Sequence, residues 1–264
     1  MAWSLVFMAI ILVVTRGFGR VRTVLANRGQ LRLLLGAAVL VTANWGTYIY
    51  GVNSGHVVET SLGYFINPLF TILLGVFVLG ERLRPMQWTA VGIGTVAVLV
   101  IAVDYGHPPW IALILASTFG LYGFFKKRAA VGAVESIAIE TGAMFVPALI
   151  ALAVLGAQGN LVFASHGVGN ALLLASAGVV TAVPLLLFAA GTRRLPLSVV
   201  GLLQFLTPMM QFAVGVGIRH EPLPTAELIG FALVWVALIV LSVDGLRAQR
   251  RTPPLVDPAL AVAP

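Results

Sequence analysis

The stretch Thr60–Arg84, TSLGYFINPLFTILLGVFVLGERLR, decides how the rest of the chain is interpreted. From Thr60 to Gly80 it carries no charged side chain, and charge returns at Glu81. About 20 apolar residues are enough for a helix to cross the hydrocarbon core of a bilayer, and this run is that long. Pro68 lies inside it, and a membrane helix tolerates a proline when neighbouring groups satisfy the carbonyl that it frees. The stretch therefore predicts a membrane-spanning helix.

The same pattern recurs later in the chain at one constant offset. Without any gap, the same offset relates pairs of identical residues: Pro68 with Pro208, Gly75 with Gly215, Glu81 with Glu221, Leu83 with Leu223, Phe65 with Phe205, and Gly51 with Gly191. The order proline, glycine, glutamate thus occurs twice with the same spacing. This repetition indicates an internal duplication.

The composition is that of an integral membrane protein. Hydrophobic residues make up 59% of the 264 residues and charged residues only 9%, whereas a soluble domain has about 25% charged residues. There is no cysteine, which excludes disulfides, thiolate metal sites and a cysteine nucleophile. Whether the net charge of +7 indicates a nucleic-acid partner depends on where the basic residues lie.

Nine apolar segments follow one another along the chain, and none alternates like a barrel strand. We therefore predict an all-α membrane protein with nine transmembrane helices. The segments are approximately 1–15, 33–52, 60–80, 87–103, 109–125, 136–155, 170–191, 195–218 and 226–246.

The basic residues lie on alternate connections between these segments. The first, third, fifth and seventh connections and the C-terminal tail hold 15 of the 16 lysines and arginines, and Arg219 is the exception. The positive-inside rule then places these connections and the C-terminus in the cytoplasm, with Met1 outside. The basic residues are thus topology determinants and lipid-headgroup contacts, and no nucleic-acid partner is expected.

The offset between the two copies also predicts an inverted repeat. The offset aligns the third segment with the eighth, which is five crossings later. An odd number of crossings reverses the direction of the chain, so the two copies cross the membrane in opposite directions. We assign residues 1–105 to a first repeat of four helices, 106–246 to a second repeat of five, and 247–264 to a disordered cytoplasmic tail. The counterpart of 109–125 would precede Met1, so we expect a first helix to be missing here, from a misassigned start or a genuine truncation.

Several of these stretches resemble a known family. ETSLGYFINPLF, LLGVFVLGERLRPMQW and NWGTYIYGVNSGHVVE in the first half, with VPLLLFAAGTRRLPLSVVGLLQFLTP and FALVWVALIVLSVDG in the second, resemble RarD-type permeases of the EamA branch of the drug/metabolite transporter superfamily. The resemblance covers nearly the whole chain. It implies two inverted five-helix EamA repeats, ten helices in all, with both termini in the cytoplasm. Relative to that pattern, we expect this chain to lack the first helix.

Glu140, in IAIETGAMFVPALI, is the sharpest candidate for chemistry. A carboxylate inside a membrane helix costs about 2.5–3.5 kcal/mol at the bilayer centre, so it should face the protein interior. One interpretation is a proton-coupling site or a site for a substrate amine. The alternative is an interfacial glutamate that reaches headgroups or pairs with Lys126 or Lys127.

Uncharged polar residues beside the two repeated prolines are candidates for a central pocket. Inverted-repeat transporters bind substrate near the midplane, at distorted helices; the alternative is interhelical hydrogen bonding that only packs helices together. The candidates are Asn44 and Tyr48, which share a helix face, Tyr64 and Asn67, their repeat counterparts Gln204 and Thr207, and Tyr122, with Pro68 and Pro208 distorting the helices.

Glu81 and Glu221 follow their segments directly. They are candidates either for gates at the two membrane faces or for caps of neighbouring helix N-termini. The four histidines are scattered over the connections, so we expect no metal site, and no motif predicts a cofactor.

These patterns predict a secondary transporter of a small organic metabolite or drug in the cytoplasmic membrane of a bacterium. Without an ATP-binding motif, the driving force would be an ion or solute gradient, with a proton or another ion as the coupled species, and alternating access as the mechanism. The alternatives are a truncated membrane subunit that does not transport, and a membrane-embedded lipid-modifying enzyme. Substrate, direction and oligomeric state are left open.

Overall fold

In a computed structural model, residues 2–105, 107–158, 167–210 and 225–251 are described. These parts of the chain are helical and contain no strand, as the sequence predicts for the fold class. The helices are α1 (Ala2–Val14), α2 (Phe18–Ala26), α3 (Arg28–Asn53), α4 (Val57–Leu73), α5 (Pro85–Tyr105), α6 (Trp110–Arg128), α7 (Ala133–Ala143), α8 (Phe145–Ala157), α9 (Gly167–Arg194), α10 (Leu197–Gln204) and α11 (Thr225–Arg251).

Fewer helices than predicted are long and apolar enough to cross a membrane. Among the described residues there are five, or six if α1 and α2 together form one bent span; the five are Arg28–Asn53, Glu59–Val78, Pro85–Val103, Ala133–Ala157 and Gly167–Arg194. α1 alone has 13 residues, and α6 ends in three consecutive cationic residues. The chain is a multi-pass membrane protein, and the count of nine helices is not confirmed.

The deciding stretch forms a longer and less regular helix than its uncharged run suggests. α4 begins at Val57, includes Glu59 and Pro68, and continues into a π-helical turn, Leu74–Val78. A π-helical turn is a local widening of a helix and is frequent at functional sites.

The outer helix faces carry large exposed apolar side chains, as expected of surfaces that lie against lipid acyl chains. α9 is the clearest case, because only 11% of its most apolar window is buried. Five of its aliphatic residues have exposed fractions of 65–76%: Val168, Leu172, Leu173, Val180 and Leu187.

The chain divides into two compact units, and each contains parts of both predicted repeats. The first unit comprises residues 1–81 and 108–204, and the second comprises 82–107 and 205–264. In the second unit α5 packs along α11. The repeats 1–105 and 106–246 describe similarity along the sequence, and they stay a prediction.

One pair of helix starts follows the spacing of the sequence repeat. α4 begins at Val57 and α10 at Leu197, and these residues are separated by the same offset as Pro68 and Pro208. This spacing is in keeping with an internal duplication, and the repeat itself stays a prediction.

Hydrogen bonds within the first unit bring the odd-numbered connections together. Arg20 Nε bonds Glu135 Oε1 at 2.5 Å, and the Ala130 amide donates to Gln30 Oε1 at 3.1 Å, which joins the first and fifth connections. Lys127 Nζ donates to the Leu195 carbonyl at 2.5 Å, which joins the fifth connection to the residue that follows the seventh. These contacts agree with one shared side for these connections.

The C-terminal helix extends beyond the predicted boundary. α11 continues to Arg251, five residues into the segment predicted as a disordered tail. Residues 252–264 lie outside the described part of the chain.

Candidate functional site

Two helices of the first unit present a charged cluster to each other: Tyr122 and Lys126 on α6, and Ser136 and Glu140 on α7. Residues four apart lie on the same helix face, so each helix contributes one such pair. All four side chains are buried, with exposed fractions of 0% for Tyr122, 2% for Lys126, 2% for Ser136 and 4% for Glu140. The last turn of α6 therefore directs one of its three cations, Lys126, inward.

Both carboxylate oxygens of Glu140 accept hydrogen bonds. Oε1 accepts from Lys126 Nζ and from Ser136 Oγ, the latter at 2.8 Å, and Oε2 accepts from the Tyr122 hydroxyl at 3.3 Å. Lys126 Nζ also contacts Ser136 Oγ at 2.6 Å and lies 5.3 Å from the centre of the Tyr122 ring. The structure therefore shows Glu140 buried and paired with Lys126, and a role in coupling stays a prediction.

The stability of this cluster depends on the charges of both Lys126 and Glu140. An isolated buried charge carries a large desolvation cost, whereas an ion pair with its remaining hydrogen bonds satisfied recovers much of that cost. Loss of either charge would leave the other uncompensated, so the pair fixes α6 against α7 only while both are ionised.

A small cavity of about 30 Å³ adjoins Glu140. It has room for one or two water molecules and not for an organic solute. The Ser4 hydroxyl is buried and has no hydrogen-bond partner among the described residues. The cavity is lined by Ser4, Val41, Trp45, Ile137, Glu140, Thr141, Met144, Thr181, Ala182 and Leu185.

An amide cluster, Asn67, Thr71 and Gln204, lies where α4 meets α10. Asn67 Nδ2 donates to Gln204 Oε1 at 3.3 Å, and Thr71 Oγ1 contacts Asn67 Oδ1 at 3.5 Å. Gln204 Nε2 is buried without a partner among the described residues. Asn67 and Gln204 come from different predicted repeats, and the fold brings them together.

Close packing between α4 and α10 depends on Gly201. A Cβ atom there would lie 2.9 Å from the Pro68 carbonyl and 2.7 Å from Ile72 Cγ1. Pro68 itself has no N–H to donate to the Tyr64 carbonyl one turn earlier. A proline and a glycine thus let two backbones approach beside the amide cluster.

The other polar candidates occupy separate environments. Asn44 Nδ2 donates to the Leu115 carbonyl at 2.8 Å and to Thr118 Oγ1 at 3.0 Å, which ties α3 to α6. Tyr48 and Tyr64 meet edge to face, with ring centroids 6.1 Å apart. In the described segment 206–210, Thr207 is exposed and Pro208 is buried.

Glu81 binds the N-terminus of α10. Its two carboxylate oxygens accept from the backbone amides of Leu197 and Ser198, each at 2.7 Å. A Cβ atom at Gly75 would lie 2.7 Å from Glu81 Oε2 and 2.8 Å from the Ser198 nitrogen, so a glycine is needed there. A carboxylate at a helix N-terminus satisfies otherwise unpaired amides and the helix dipole. Its repeat counterpart, Glu221, lies outside the described residues.

Several residues that make polar contacts were not site candidates in the sequence, and Lys126 was named there only as a possible partner of Glu140. Lys126 and Ser136 complete the charged cluster; their four-residue spacing from Tyr122 and Glu140 was the available signal. Glu59, 4% exposed, accepts from the Ile111 amide at 2.7 Å. In the second unit, Arg84 Nη1 lies 3.1 Å from Asp244 Oδ2. Within the described ranges, no three His, Asp or Glu side chains cluster as a metal site would require.

Comparison with known proteins places the chain in a family. Residues 1–103 match the model of the EamA-like transporter family. The chain is 52% identical over 252 residues to Protein RarD of Streptomyces exfoliatus, covering 96% of this chain and 80% of that protein. It is 41% identical to the uncharacterized transporter YojE of Bacillus subtilis, covering 94% and 84%.

A more distant relative and a solved structure also resemble this chain over most of its length. The chloramphenicol-sensitive protein RarD of Pseudomonas aeruginosa is 28% identical over 94% of this chain and 84% of its own length. A solved crystal structure matches with a TM-score of 0.59 at 17% identity, covering 90% of this chain and 85% of the other, which supports the fold alone. The matching family and YojE are named as transporters, in agreement with a protein that is not an enzyme. The chain is a multi-pass membrane protein and belongs to the RarD-type permeases of the EamA-like transporter family.

Proposed function

We propose that the chain is a secondary transporter of a small organic solute, driven by an ion or solute gradient. The observation that carries this proposal is the buried charged cluster, in which Glu140 is 4% exposed inside a membrane protein of a transporter family. Ionisable residues inside membrane helices are rare and mark ion or substrate pathways.

Glu140 is the proposed proton acceptor. When the carboxylate takes up a proton it becomes neutral, and the attraction that holds Lys126 to it is lost. Lys126 is then a buried cation without a counter-ion, and this favours a rearrangement of α6 and α7 that gives it a new partner or water. Protonation is thereby converted into helix movement, which is what coupling requires.

The amide cluster is the proposed substrate contact. Asn67 and Gln204 offer both donors and acceptors, and the Gln204 Nε2 group is buried with no partner among the described residues. An unpaired buried donor costs about 1–3 kcal/mol, which a bound solute with an acceptor would recover. Neutral amides suit a polar solute without a strong net charge.

Two inverted repeats supply the proposed alternating-access mechanism. The offset between Val57 and Leu197, where α4 and α10 begin, supports the duplication, and the family match over residues 1–103 has about the extent of the predicted first repeat. The alternate placement of basic connections supports opposite directions for the two copies and a cytoplasmic C-terminus. Glu81, through its contact with α10, would then hold one face closed as a gate or serve only as a helix cap.

The test is transport in proteoliposomes with an imposed pH gradient. Chloramphenicol is a first probe because it appears in the name of one relative, and a pooled amino-acid mixture analysed by mass spectrometry is a second. Wild-type protein should accumulate a probe only with the gradient. Glu140→Gln should lower stability, because Lys126 loses its counter-ion, and should abolish the dependence on the gradient in the protein that is recovered folded.

Glu59→Gln is the matched control, because Glu59 is an equally buried carboxylate that binds a backbone amide at the start of α6. We expect it to lower stability and to leave the pH dependence of transport in place. Unchanged pH dependence in Glu140→Gln would remove Glu140 from coupling. A folded chain that moves no probe under any gradient would favour the non-transporting membrane subunit.

A further inference from the structure

α2 is much shorter than the candidate spanning helices and is bent sharply away from α1. It has nine residues and makes an angle of 111° with α1. Nine residues rise about 14 Å, roughly half of a hydrocarbon core. α1 packs along the long spanning helix α9, so a helix bent away from it by this angle runs closer to the membrane plane than to its normal.

The turn between α1 and α2 is built for this bend. Arg16 has φ of 50°, in the left-handed region that side chains other than glycine rarely adopt. A Cβ atom at the following residue, Gly17, would lie 2.8 Å from Leu12 Cδ2. The bend is therefore fixed by local geometry and by packing.

The two faces of α2 are both apolar in part, and only one is covered by protein. Val21 and Val24 pack against the core cluster around Leu34 and Ala129. Phe18 and Leu25, seven residues apart and so on one face, are 55% and 48% exposed. The uncovered apolar face lies among basic residues.

Five arginines surround α2 and the chain offers few local counter-charges. Arg16, Arg20, Arg22, Arg28 and Arg32 are all exposed, and no acidic residue occurs before Glu59. Arg20 pairs with Glu135 and holds α2 against α7. Among the described residues, the other four have no acidic side chain within ion-pair distance.

We propose that α2 is an interfacial helix that binds the anionic lipid surface of the membrane. Phe18 and Leu25 enter the boundary between headgroups and acyl chains, and the four remaining arginines contact lipid phosphates. An amphipathic helix with aromatic and aliphatic residues beside arginines is the type of helix that lies in this interface. This goes beyond the proposed transport function, and it assigns α2 a ligand of its own.

The depth of α2 in the membrane tests the proposal directly. The chain has no cysteine, so Leu25→Cys carries a single nitroxide label in the full chain, reconstituted in phosphatidylcholine vesicles with phosphatidylglycerol. Thr23→Cys is the matched control, an exposed position two residues away on the other face. We expect the label at position 25 to be accessible to oxygen and shielded from a nickel chelate, and the label at 23 to be accessible to nickel.

Two outcomes of this experiment overturn the proposal. Equal nickel accessibility at both positions would mean that α2 stands in water. Shielding of position 25 from both oxygen and nickel would mean that protein, such as a second copy of the chain, covers this face.

Lipid selectivity supplies an independent measurement. Arg22→Gln with Arg28→Gln should lower the preference for phosphatidylglycerol over phosphatidylcholine in native mass spectrometry, by roughly fivefold for each arginine. The control is Arg193→Gln with Arg194→Gln, two exposed arginines at the end of α9. An equal loss in both double variants would show a general charge effect and would overturn a site on α2.

Discussion

The charged cluster and the amide cluster show two ways of placing polar groups inside a membrane protein. Around Glu140 both carboxylate oxygens have donors, and the contacts to Ser136 are 2.6 and 2.8 Å. Around Asn67 the contacts are longer, 3.3 and 3.5 Å, and Gln204 Nε2 has no partner among the described residues. The first cluster is saturated and joins α6 to α7, whereas the second retains an unused donor beside a proline. The difference suggests that charge must be satisfied for the fold to form, while neutral amides can be left available for a ligand.

The largest effect is expected from removing one charge of the charged cluster. Lys126→Ala leaves Glu140 buried without a counter-ion, and we expect a loss of about 3–5 kcal/mol in unfolding free energy. Thermal unfolding of the purified protein in detergent measures it. The double variant Lys126→Met, Glu140→Leu should recover most of the stability, because it removes both charges and keeps apolar volume. A double variant as unstable as Lys126→Ala would show that packing, and not charge, dominates there.

Altering the amide cluster should affect transport more than stability. Asn67→Leu removes a hydrogen bond worth about 0.6 kcal/mol between membrane helices, so the unfolding temperature should barely change. Uptake of a probe that the wild type accumulates should fall about tenfold or more, if the solute contacts this amide with a bond worth about 1.5 kcal/mol. Asn44→Leu is the comparison variant, because Asn44 bonds the Leu115 carbonyl of α6 and lies outside the amide cluster. Equal losses of uptake would indicate that both amides only pack helices.

The smallest effect is expected from Tyr122→Phe. The change removes the 3.3 Å bond to Glu140 Oε2 and retains the aromatic ring, which stacks on Phe188 with centroids 5.8 Å apart. We expect a stability loss below about 1 kcal/mol and a transport pH profile that keeps its dependence on the gradient. A loss of stability comparable with that of Lys126→Ala would show that the hydroxyl is essential to the charged cluster.

Much of the architecture could be predicted from the sequence, because a bilayer excludes charged residues from the segments that cross it. Long uncharged runs predict spanning helices, and alternate basic connections predict which helix ends lie together, as the Arg20–Glu135 and Lys127–Leu195 contacts illustrate. The repeat offset anticipated helix starts such as Val57 and Leu197. The break at Met144 between α7 and α8, and the separate helix α2, were not predicted, because hydropathy measures length and polarity but not direction.

The candidate site was recovered only in part. Glu140, Tyr122, Asn67 and Gln204 were singled out as polar residues in apolar segments. Lys126 was assigned to a connection because it begins a run of three cations. Which of the three turns inward depends on its spacing from Tyr122 and on the Ser136 and Glu140 side chains that α7 presents to it. Neither the spacing from Tyr122 nor the position of α7 can be seen in the three cationic residues alone.

The sequence by itself determined that this is an all-helical membrane protein with a few polar residues that must be kept away from lipid, and it predicts a duplicated unit. Those conclusions follow from the cost of charge and of unpaired backbone groups in hydrocarbon, which acts on each segment separately. Only the tertiary structure decided which polar residues meet. Asn67 and Gln204 are 137 positions apart, and the pairing of Lys126 with Glu140 depends on two helices facing each other. Contacts of this kind follow from packing between helices, which the composition of either helix alone does not specify.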